Sequence, residues 1–147
     1  MSKSFNGVIR GLAIAGFFAL GATTAFAQDE SSFDLQLNAA ADTTAGSCRL
    51  TYVATNQSDQ AFDRTAYEVG IFNAEGAVTR LLVLEFGSLV AGKTKILQFD
   101  LAESSCASIS RIVVNDVAAC TLSDGTESEF CLSNLVASSR TAIQFGI

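Results

Sequence analysis

The chain has 147 residues, contains no histidine and carries a formal net charge of −6. The absence of histidine excludes Ser–His and Cys–His nucleophile pairs and histidine metal sites. The negative charge disfavours binding to nucleic acid and to anionic membrane surfaces, so we expect neither as a partner.

The first 27 residues have the order of regions that is typical of a secretory signal peptide. A basic start with Lys3 and Arg10 precedes the apolar stretch 11–22, and Ala25-Phe26-Ala27 supplies a small-x-small cleavage site. The apolar stretch is shorter than the ~18 residues of a membrane span, so no span is expected after cleavage. The predicted mature chain, residues 28–147, keeps seven of the nine basic residues and all 15 acidic ones, a net charge of −8. We therefore expect one periplasmic or secreted domain.

Short segments of alternating apolar and polar residues predict about seven strands. The predicted strands cover residues 33–38, 48–55, 66–72, 78–86, 95–101, 109–117 and 140–147. The Ala/Thr/Gly-rich segment 39–47 is predicted as a loop, and the spacing of Leu132, Leu135 and Val136 predicts a helical turn. The residues expected to face inward from the fourth strand are Leu82, Leu84 and Phe86. Those expected on one face of the last strand are Ile143, Phe145 and Ile147. The pattern predicts an all-β fold, a single antiparallel β-sandwich.

Four cysteines in an exported chain predict two disulfides. A zinc site or a redox-active pair is disfavoured because the chain has no histidine and no C-x-x-C pair. Strand direction alternates in a run of hairpins, so the start of the second strand and the end of the fifth lie at one pole of the sandwich. The end of the sixth strand and the start of the seventh lie at the other pole. Of three possible connectivities, this placement predicts Cys48–Cys106 and Cys120–Cys131.

The segment 87–94 matches the phosphate-binding pattern G-x-x-x-x-G-K-[ST] at its fixed positions, which are Gly87, Gly92, Lys93 and Thr94. A phosphate loop requires a following helix, because backbone N–H groups and the helix N-terminus hold the phosphate oxygens. Residues 95–101 instead alternate as a strand, and the chain offers no convincing pair of βα units around the loop. We therefore interpret the match as chance, and we expect neither nucleotide nor any other cofactor to bind.

The acidic loop 123–129 offers oxygen ligands for Ca²⁺. Its carboxylates, Asp124, Glu127 and Glu129, lack the twelve-residue spacing of a helix–loop–helix calcium site. A solvated loop is therefore the preferred interpretation, and a calcium site is kept as an alternative.

Catalytic groups other than histidine are few. Glu68 and Glu85 could form a glycosidase-type pair, although charged residues in strands normally face solvent. A Ser–Lys dyad would need Lys93 or Lys95, and nothing in the sequence places a serine beside either. The sequence therefore predicts a protein that is not an enzyme. Asn56-Gln57-Ser58 is a glycosylation sequon that matters only in a host that glycosylates exported proteins.

Several short stretches between Cys48 and Leu101 resemble a known kind of module. The second strand ends in Ala54-Thr55-Asn56, and the third, residues 67–73, runs into Gly76-Ala77-Val78. The stretch 89–94 then precedes an aromatic strand centred on Phe99. This order is similar to small exported bacterial modules of the FxLYD and LEA-related type. The resemblance covers about half of the predicted mature chain and implies an Ig-like sandwich without catalytic residues.

These features favour an exported, non-catalytic sandwich that binds another protein or a component of the cell envelope. Such a module would use an uncovered edge strand or an exposed apolar patch, and the terminal segment 141–147 is the first candidate. The alternative is a small-ligand or Ca²⁺-binding protein that uses the acidic loop. An enzyme is the third possibility, and it would need a deep pocket with clustered titratable groups.

Overall fold

Alternating apolar and polar side chains form eight strands in the computed structural model, which describes residues 31–147. The predicted signal peptide, residues 1–27, lies outside the described residues. The strands are β1 (Phe33–Asp42), β2 (Cys48–Asn56), β3 (Phe62–Phe72), β4 (Val78–Leu89), β5 (Thr94–Leu101), β6 (Arg111–Leu122), β7 (Leu135–Ser139) and β8 (Gln144–Gly146). A 3-10 turn at Cys106–Ser108 precedes β6, and the short helix α1 (Phe130–Ser133) precedes β7.

The strands form two four-stranded sheets that pack face to face. The first sheet has the order β5-β2-β1-β7, and the second has the order β4-β3-β6-β8. Most pairs are antiparallel, but β7 lies parallel to β1 and β8 lies parallel to β6. The predicted all-β sandwich is therefore confirmed. It has eight strands rather than about seven, and its two C-terminal strands add parallel edges that the sequence pattern does not reveal.

The core lies between the two sheets, where every second residue of β2 is buried and β3 is buried along most of its length. Leu50, Tyr52 and Ala54 of β2 have essentially no exposed surface, and neither do Tyr67 and Val69 of β3. The ring of Tyr52 contacts three phenylalanines from different strands, with centroid distances between 5.3 and 6.0 Å; they are Phe86, Phe99 and Phe145. Aromatic edge-to-face contacts of this kind add about 0.5–1.5 kcal/mol per pair to the burial of apolar area. These rings therefore join both sheets into one core.

Two disulfides join the cysteines in the predicted pairs. Cys48 begins β2 opposite Leu101, the last residue of β5, and is bonded to Cys106 at that pole. Cys120 in β6 is bonded to Cys131 in α1 at the other pole. The hydroxyl of Tyr67 donates a buried hydrogen bond of 2.7 Å to the carbonyl oxygen of Cys131, which fixes α1 against the core.

Two local predictions are wrong around the first and seventh strands. The segment predicted as loop 39–47 is strand as far as Asp42, since β1 continues after a register shift between Leu37 and Ala39. The predicted helical turn ends early, because α1 stops at Ser133 and Leu135 and Val136 already belong to β7. A buried Leu135 opposite Phe33 of β1 explains the difference, because sheet pairing satisfies this backbone better than one more helical turn.

The predicted last strand 140–147 is also too long. Residues 140–143 form a bend, and only Gln144–Gly146 are extended. Side-chain hydroxyls satisfy the bend, since Ser139 Oγ donates to the carbonyl of Ile143 and the amide of Ile143 donates to Thr141 Oγ1. The bend carries the chain from the first sheet to the second. Ile143 and Phe145 are buried as predicted, but Ile147 is 70% exposed.

No helix within residues 31–147 combines the length and the apolar character that a membrane crossing requires.

Candidate binding surface

The residues of the phosphate-loop pattern form the end of one strand, a turn and the start of the next strand. Gly87 lies in β4 with a φ of 68°, and Gly92 lies in the turn with a φ of 67°. Thr94 begins β5, and its hydroxyl lies 3.0 Å from that of Thr55 in the neighbouring strand. The residues after Lys93 are thus extended, as predicted. No helix N-terminus follows the loop, so the geometry that holds phosphate oxygens is missing from this segment.

The acidic loop is a tight hairpin whose first carboxylate is already bonded. Asp124 Oδ1 accepts hydrogen bonds from the hydroxyl of Thr126 at 2.6 Å and from its amide at 2.9 Å. The hydroxyl bond is the main reason that the pKa of Asp124 lies below its ordinary value. Glu127 accepts from Thr121, and Glu129 precedes α1. Within residues 31–147 no group of three His, Cys, Asp or Glu side chains could hold a metal ion, so the structure does not gather these carboxylates into a calcium site.

The other candidate catalytic side chains have structural partners. Glu85 forms an ion pair with Arg64 at 2.8 Å, and Glu68 accepts a hydrogen bond from the amide of Asn115. Lys95 Nζ donates to the carbonyl oxygens of Phe86 at 2.8 Å and Ser88 at 3.3 Å, so this lysine joins β5 to β4 across the sheets. These contacts give Glu85, Glu68 and Lys95 structural roles.

The sequon asparagine is part of the core rather than a modification site. Asn56 is fully buried, and its Nδ2 donates to the carbonyl oxygens of Gln60 at 2.6 Å and Leu89 at 3.2 Å. A glycan attached to this nitrogen would displace both bonds. The folded chain therefore does not offer Asn56 for glycosylation.

The two edge strands of the second sheet differ in length. The terminal strand β8 is a three-residue edge, and β7 of the other sheet lies beside it. The opposite edge is β4, a twelve-residue strand that pairs with β3 on one side only. The longer open edge is thus β4 rather than the terminal segment 141–147 that the sequence suggested first.

Three large apolar side chains of β4 point away from the core. Val78, Leu81 and Val83 are 54%, 59% and 51% exposed, whereas Leu84 and Phe86 of the same strand are buried. Residues 81–84 of β4 are therefore apolar on both faces of the strand. Surface apolar residues that are single need no explanation, but a contiguous group is a feature of binding surfaces.

Two residues of the neighbouring strands extend this group across the sheet. Phe72 of β3 lies opposite Val78, and Gly70 lies between Leu81 of β4 and Val113 of β6. Phe72 and Val113 are half-buried. The apolar strip, as we name this surface, consists of Phe72, Val78, Leu81, Val83 and Val113.

Gly70 lies at the centre of the apolar strip and contributes no side chain to it. Its φ is outside the left-handed region, and an added β-carbon would meet Phe72 at 3.5 Å and Leu81 at 3.8 Å, which are ordinary contact distances. The fold would therefore accept a side chain here, although glycine inside a strand costs about 0.5–1 kcal/mol relative to alanine.

An arginine lies over one end of the apolar strip. The guanidinium carbon of Arg111 is 4.1 Å from the ring centroid of Phe72, a cation–π contact. Among residues 31–147 the ion pairs join Arg49 to Asp100 and Arg64 to Glu85, so Arg111 has no carboxylate partner there. The strip thus ends in an exposed, oriented positive charge.

The outer face of the first sheet is different in character. Its central strands present polar side chains such as Gln36 and Thr51, which bond to Ser138 and Gln98 across the sheet. The exposed apolar residues Ile96 and Val136 lie on its two opposite edge strands. The first sheet therefore offers no apolar row comparable to the apolar strip.

Sequence reasoning missed the apolar strip although a signal was present. The run Leu81-Leu-Val-Leu84 contains no polar residue, and an unbroken apolar run in a strand means that both faces are apolar. Alternation identifies the inward residues of the fourth strand but leaves its outward residues unassigned. Arg111 could not be found this way, because its contact with Phe72 depends on the pairing of β3 with β6.

Comparison with known proteins supports the fold alone. No family model matches the chain, and no curated protein matches it. The structure is similar to that of IrmA from Escherichia coli, with a TM-score of 0.57 and 11% sequence identity over 74% of this chain and 92% of that chain. At this identity the similarity shows a shared β-sandwich architecture.

Proposed function

We propose that this chain is an exported, non-catalytic module that binds another protein through the apolar strip. The observation that carries the proposal is the row of Val78, Leu81 and Val83, each more than half exposed on one face of an edge strand. Contact of these apolar side chains with water is unfavourable. Their burial against a partner therefore lowers the free energy of the complex. In this proposal the sandwich is a rigid support that presents the apolar strip to a partner.

The two disulfides support a location outside the cytoplasm, where thiols are oxidised. The predicted signal peptide supports export to the periplasm or to the medium. A binding role rather than an enzymatic one is supported by the composition, because the chain lacks histidine, and by the structural partners found for Glu85, Glu68 and Lys95.

The size of the apolar strip bears on the strength of binding. Full burial of a valine or leucine side chain is worth about 1.5–3 kcal/mol, and three half-exposed side chains recover roughly half of that each. A gain of a few kcal/mol does not overcome the entropy of association alone. A partner must therefore add polar contacts at the rim, and we expect reversible rather than permanent binding.

The test is capture of a partner from the exported fraction of the producing cells. We expect the natural sequence to retain a specific protein, identified by mass spectrometry, and the double variant Leu81→Asn/Val83→Asn to lose it. The matched control is Val136→Asn, which changes a valine of similar exposure, 53%, on the outer face of the other sheet. Circular dichroism and the melting temperature confirm that each variant is folded.

Two outcomes would contradict the proposal. One is equal capture by the natural sequence and by Leu81→Asn/Val83→Asn. The other is loss of the partner in Val136→Asn but not in the β4 variant, which would move the binding surface to the first sheet.

A further inference from the structure

A shallow cavity next to the apolar strip is lined by one charged side chain, that of Arg111. The cavity has a volume of about 340 Å³ and lies between the β3–β4 hairpin, Phe72 and Gln144 of β8. No acidic side chain of the described residues lines it. Phe72 belongs both to this cavity and to the apolar strip, so the two form one continuous surface.

Several polar groups around the cavity are already hydrogen-bonded within the protein. The Ser110 hydroxyl donates to the carbonyl oxygens of Asn73 at 2.5 Å and Phe72 at 3.2 Å, and Asn73 Oδ1 accepts from the amide of Ala77 at 2.9 Å. The guanidinium of Arg111 presents N–H groups on a planar fork, and the amide of Gln144 lies beside it in the parallel pair β6–β8. A planar anion such as a carboxylate fits the fork of the Arg111 guanidinium.

Stacking on Phe72 makes Arg111 a better anchor than a free surface arginine. The ring, 4.1 Å away, limits the motion of the guanidinium, so less entropy is lost when it binds an anion. Arginine and aromatic residues flanked by apolar contacts are the residue types that dominate the free energy of protein interfaces. At the other end of the apolar strip, Val83 lies opposite Glu68, which lies opposite Asp116, so attraction of an anion is confined to the end that holds Arg111.

We propose that Arg111 binds a carboxylate of the partner protein, an Asp or Glu side chain within an apolar segment whose neighbouring residues cover the apolar strip. This inference rests on the proposed function and names the chemistry of its partner. A protein carboxylate is favoured over a phosphate of a membrane surface for two reasons. The adjoining strip is flat and apolar, and the net negative charge of the chain opposes an anionic membrane.

The probe is a blocked peptide with one glutamate flanked by valines and leucines, compared with the same peptide carrying glutamine. Binding is followed by NMR through the side-chain signals of Arg111 and Gln144. We expect saturable shifts at these residues and an affinity for the glutamate peptide that is about tenfold or more above that for the glutamine peptide. Arg111→Gln should remove the difference between the two peptides, and Arg111→Lys should retain only part of it, because lysine lacks the planar fork.

The control is Arg140→Gln, which removes an exposed arginine of the bend after β7 and should leave the preference for glutamate unchanged. Equal affinities for the two peptides, no saturable shifts, or shifts confined to another face would each overturn the inference. Sedimentation with phosphatidylglycerol vesicles that is lost in Arg111→Gln would overturn it in favour of a lipid phosphate.

The inference can fail while the proposed function stands. In that case the partner would be lost by Leu81→Asn/Val83→Asn and retained by Arg111→Gln. If the β4 variant also keeps its partner, the proposed function itself has failed.

Discussion

Two tyrosines occupy the core with different hydrogen-bonding arrangements. The Tyr67 hydroxyl donates to the carbonyl oxygen of Cys131 at 2.7 Å, whereas that of Tyr52 has no hydrogen-bond partner among residues 31–147. Burial raises the pKa of both hydroxyls above the ordinary value of 10.0. The two side chains are similarly buried, so they separate the effect of a hydrogen bond from the effect of burial.

We expect Tyr67→Phe to destabilise the protein and Tyr52→Phe to be neutral or stabilising. Loss of the Tyr67 hydroxyl leaves a buried carbonyl oxygen unsatisfied, at a cost of about 1–3 kcal/mol. Loss of the Tyr52 hydroxyl removes a polar group from an apolar site and costs no protein hydrogen bond. Urea denaturation measures both changes. Equal losses of stability in the two variants would contradict the assignment.

The sequence predicts the burial of these residues but not their partners. Strand alternation correctly places Tyr52 with Leu50 and Ala54, because a period of two depends only on local backbone geometry. The same alternation groups Lys95 with Leu97 on the inward face. The ammonium of Lys95 donates to two carbonyl oxygens of β4. This contact depends on the distance between the edges of the two sheets. Such distances arise only from the packed fold.

At the scale of elements, strands with strong alternation are predicted well and short C-terminal ones are not. The segment containing Leu135 and Val136 satisfies the spacing of a helical turn, yet it pairs with β1 about a hundred residues earlier in the chain. Local spacing carries no information on that distant partner. Sequence reasoning misses the apolar strip for a related reason, since an apolar run identifies strand β4 but not which of its faces the first sheet leaves open.

The two disulfides should differ in their contribution to stability. Cys48–Cys106 spans 58 residues and Cys120–Cys131 spans 11. In the loop-entropy model these closures are worth about 4 and about 3 kcal/mol. We expect the double variant Cys48→Ala/Cys106→Ala to have a lower melting temperature than Cys120→Ala/Cys131→Ala. Calorimetry under identical conditions measures the difference, and a reversed order would show that packing around α1 outweighs loop length.

For the whole molecule, titrating groups limit stability at both ends of the pH range. The hydrogen bond from Arg49 lowers the pKa of Asp100, and those from Thr126 lower the pKa of Asp124. A lowered folded pKa gives stability that is present above the unfolded value, near 3.8, and is lost as pH falls through the folded value. The raised pKa values of the two tyrosines act in the opposite direction, giving stability that is present below pH 10 and is lost above it.

We therefore expect a plateau of the melting temperature between about pH 4 and pH 10, with a decline on either side. Asp100→Asn should flatten part of the acid decline, and Tyr52→Phe should flatten part of the alkaline one. Melting curves across this range test both statements. A decline that begins near neutral pH would indicate a titrating group other than these four.

The overall architecture and the positions of both disulfides follow from strand number and strand direction, which the sequence contains. The proposed binding surface follows from the position of β4 at a sheet edge and from the pairing of β3 with β6, which local sequence patterns do not reveal. The resemblance to FxLYD and LEA-related modules stays a prediction. It implies a sandwich, but no residue in it points to Arg111 or to the apolar strip.

The positions of β7 and β8 also determine when the domain can complete its folding. Each closes a different sheet, and β7 aligns Leu135 with Phe33 of the first strand. Until β7 and β8 have paired, each sheet lacks one border strand. Long-range pairing of this kind slows folding. Both sheets are therefore completed only when these two late strands pair with β1 and β6.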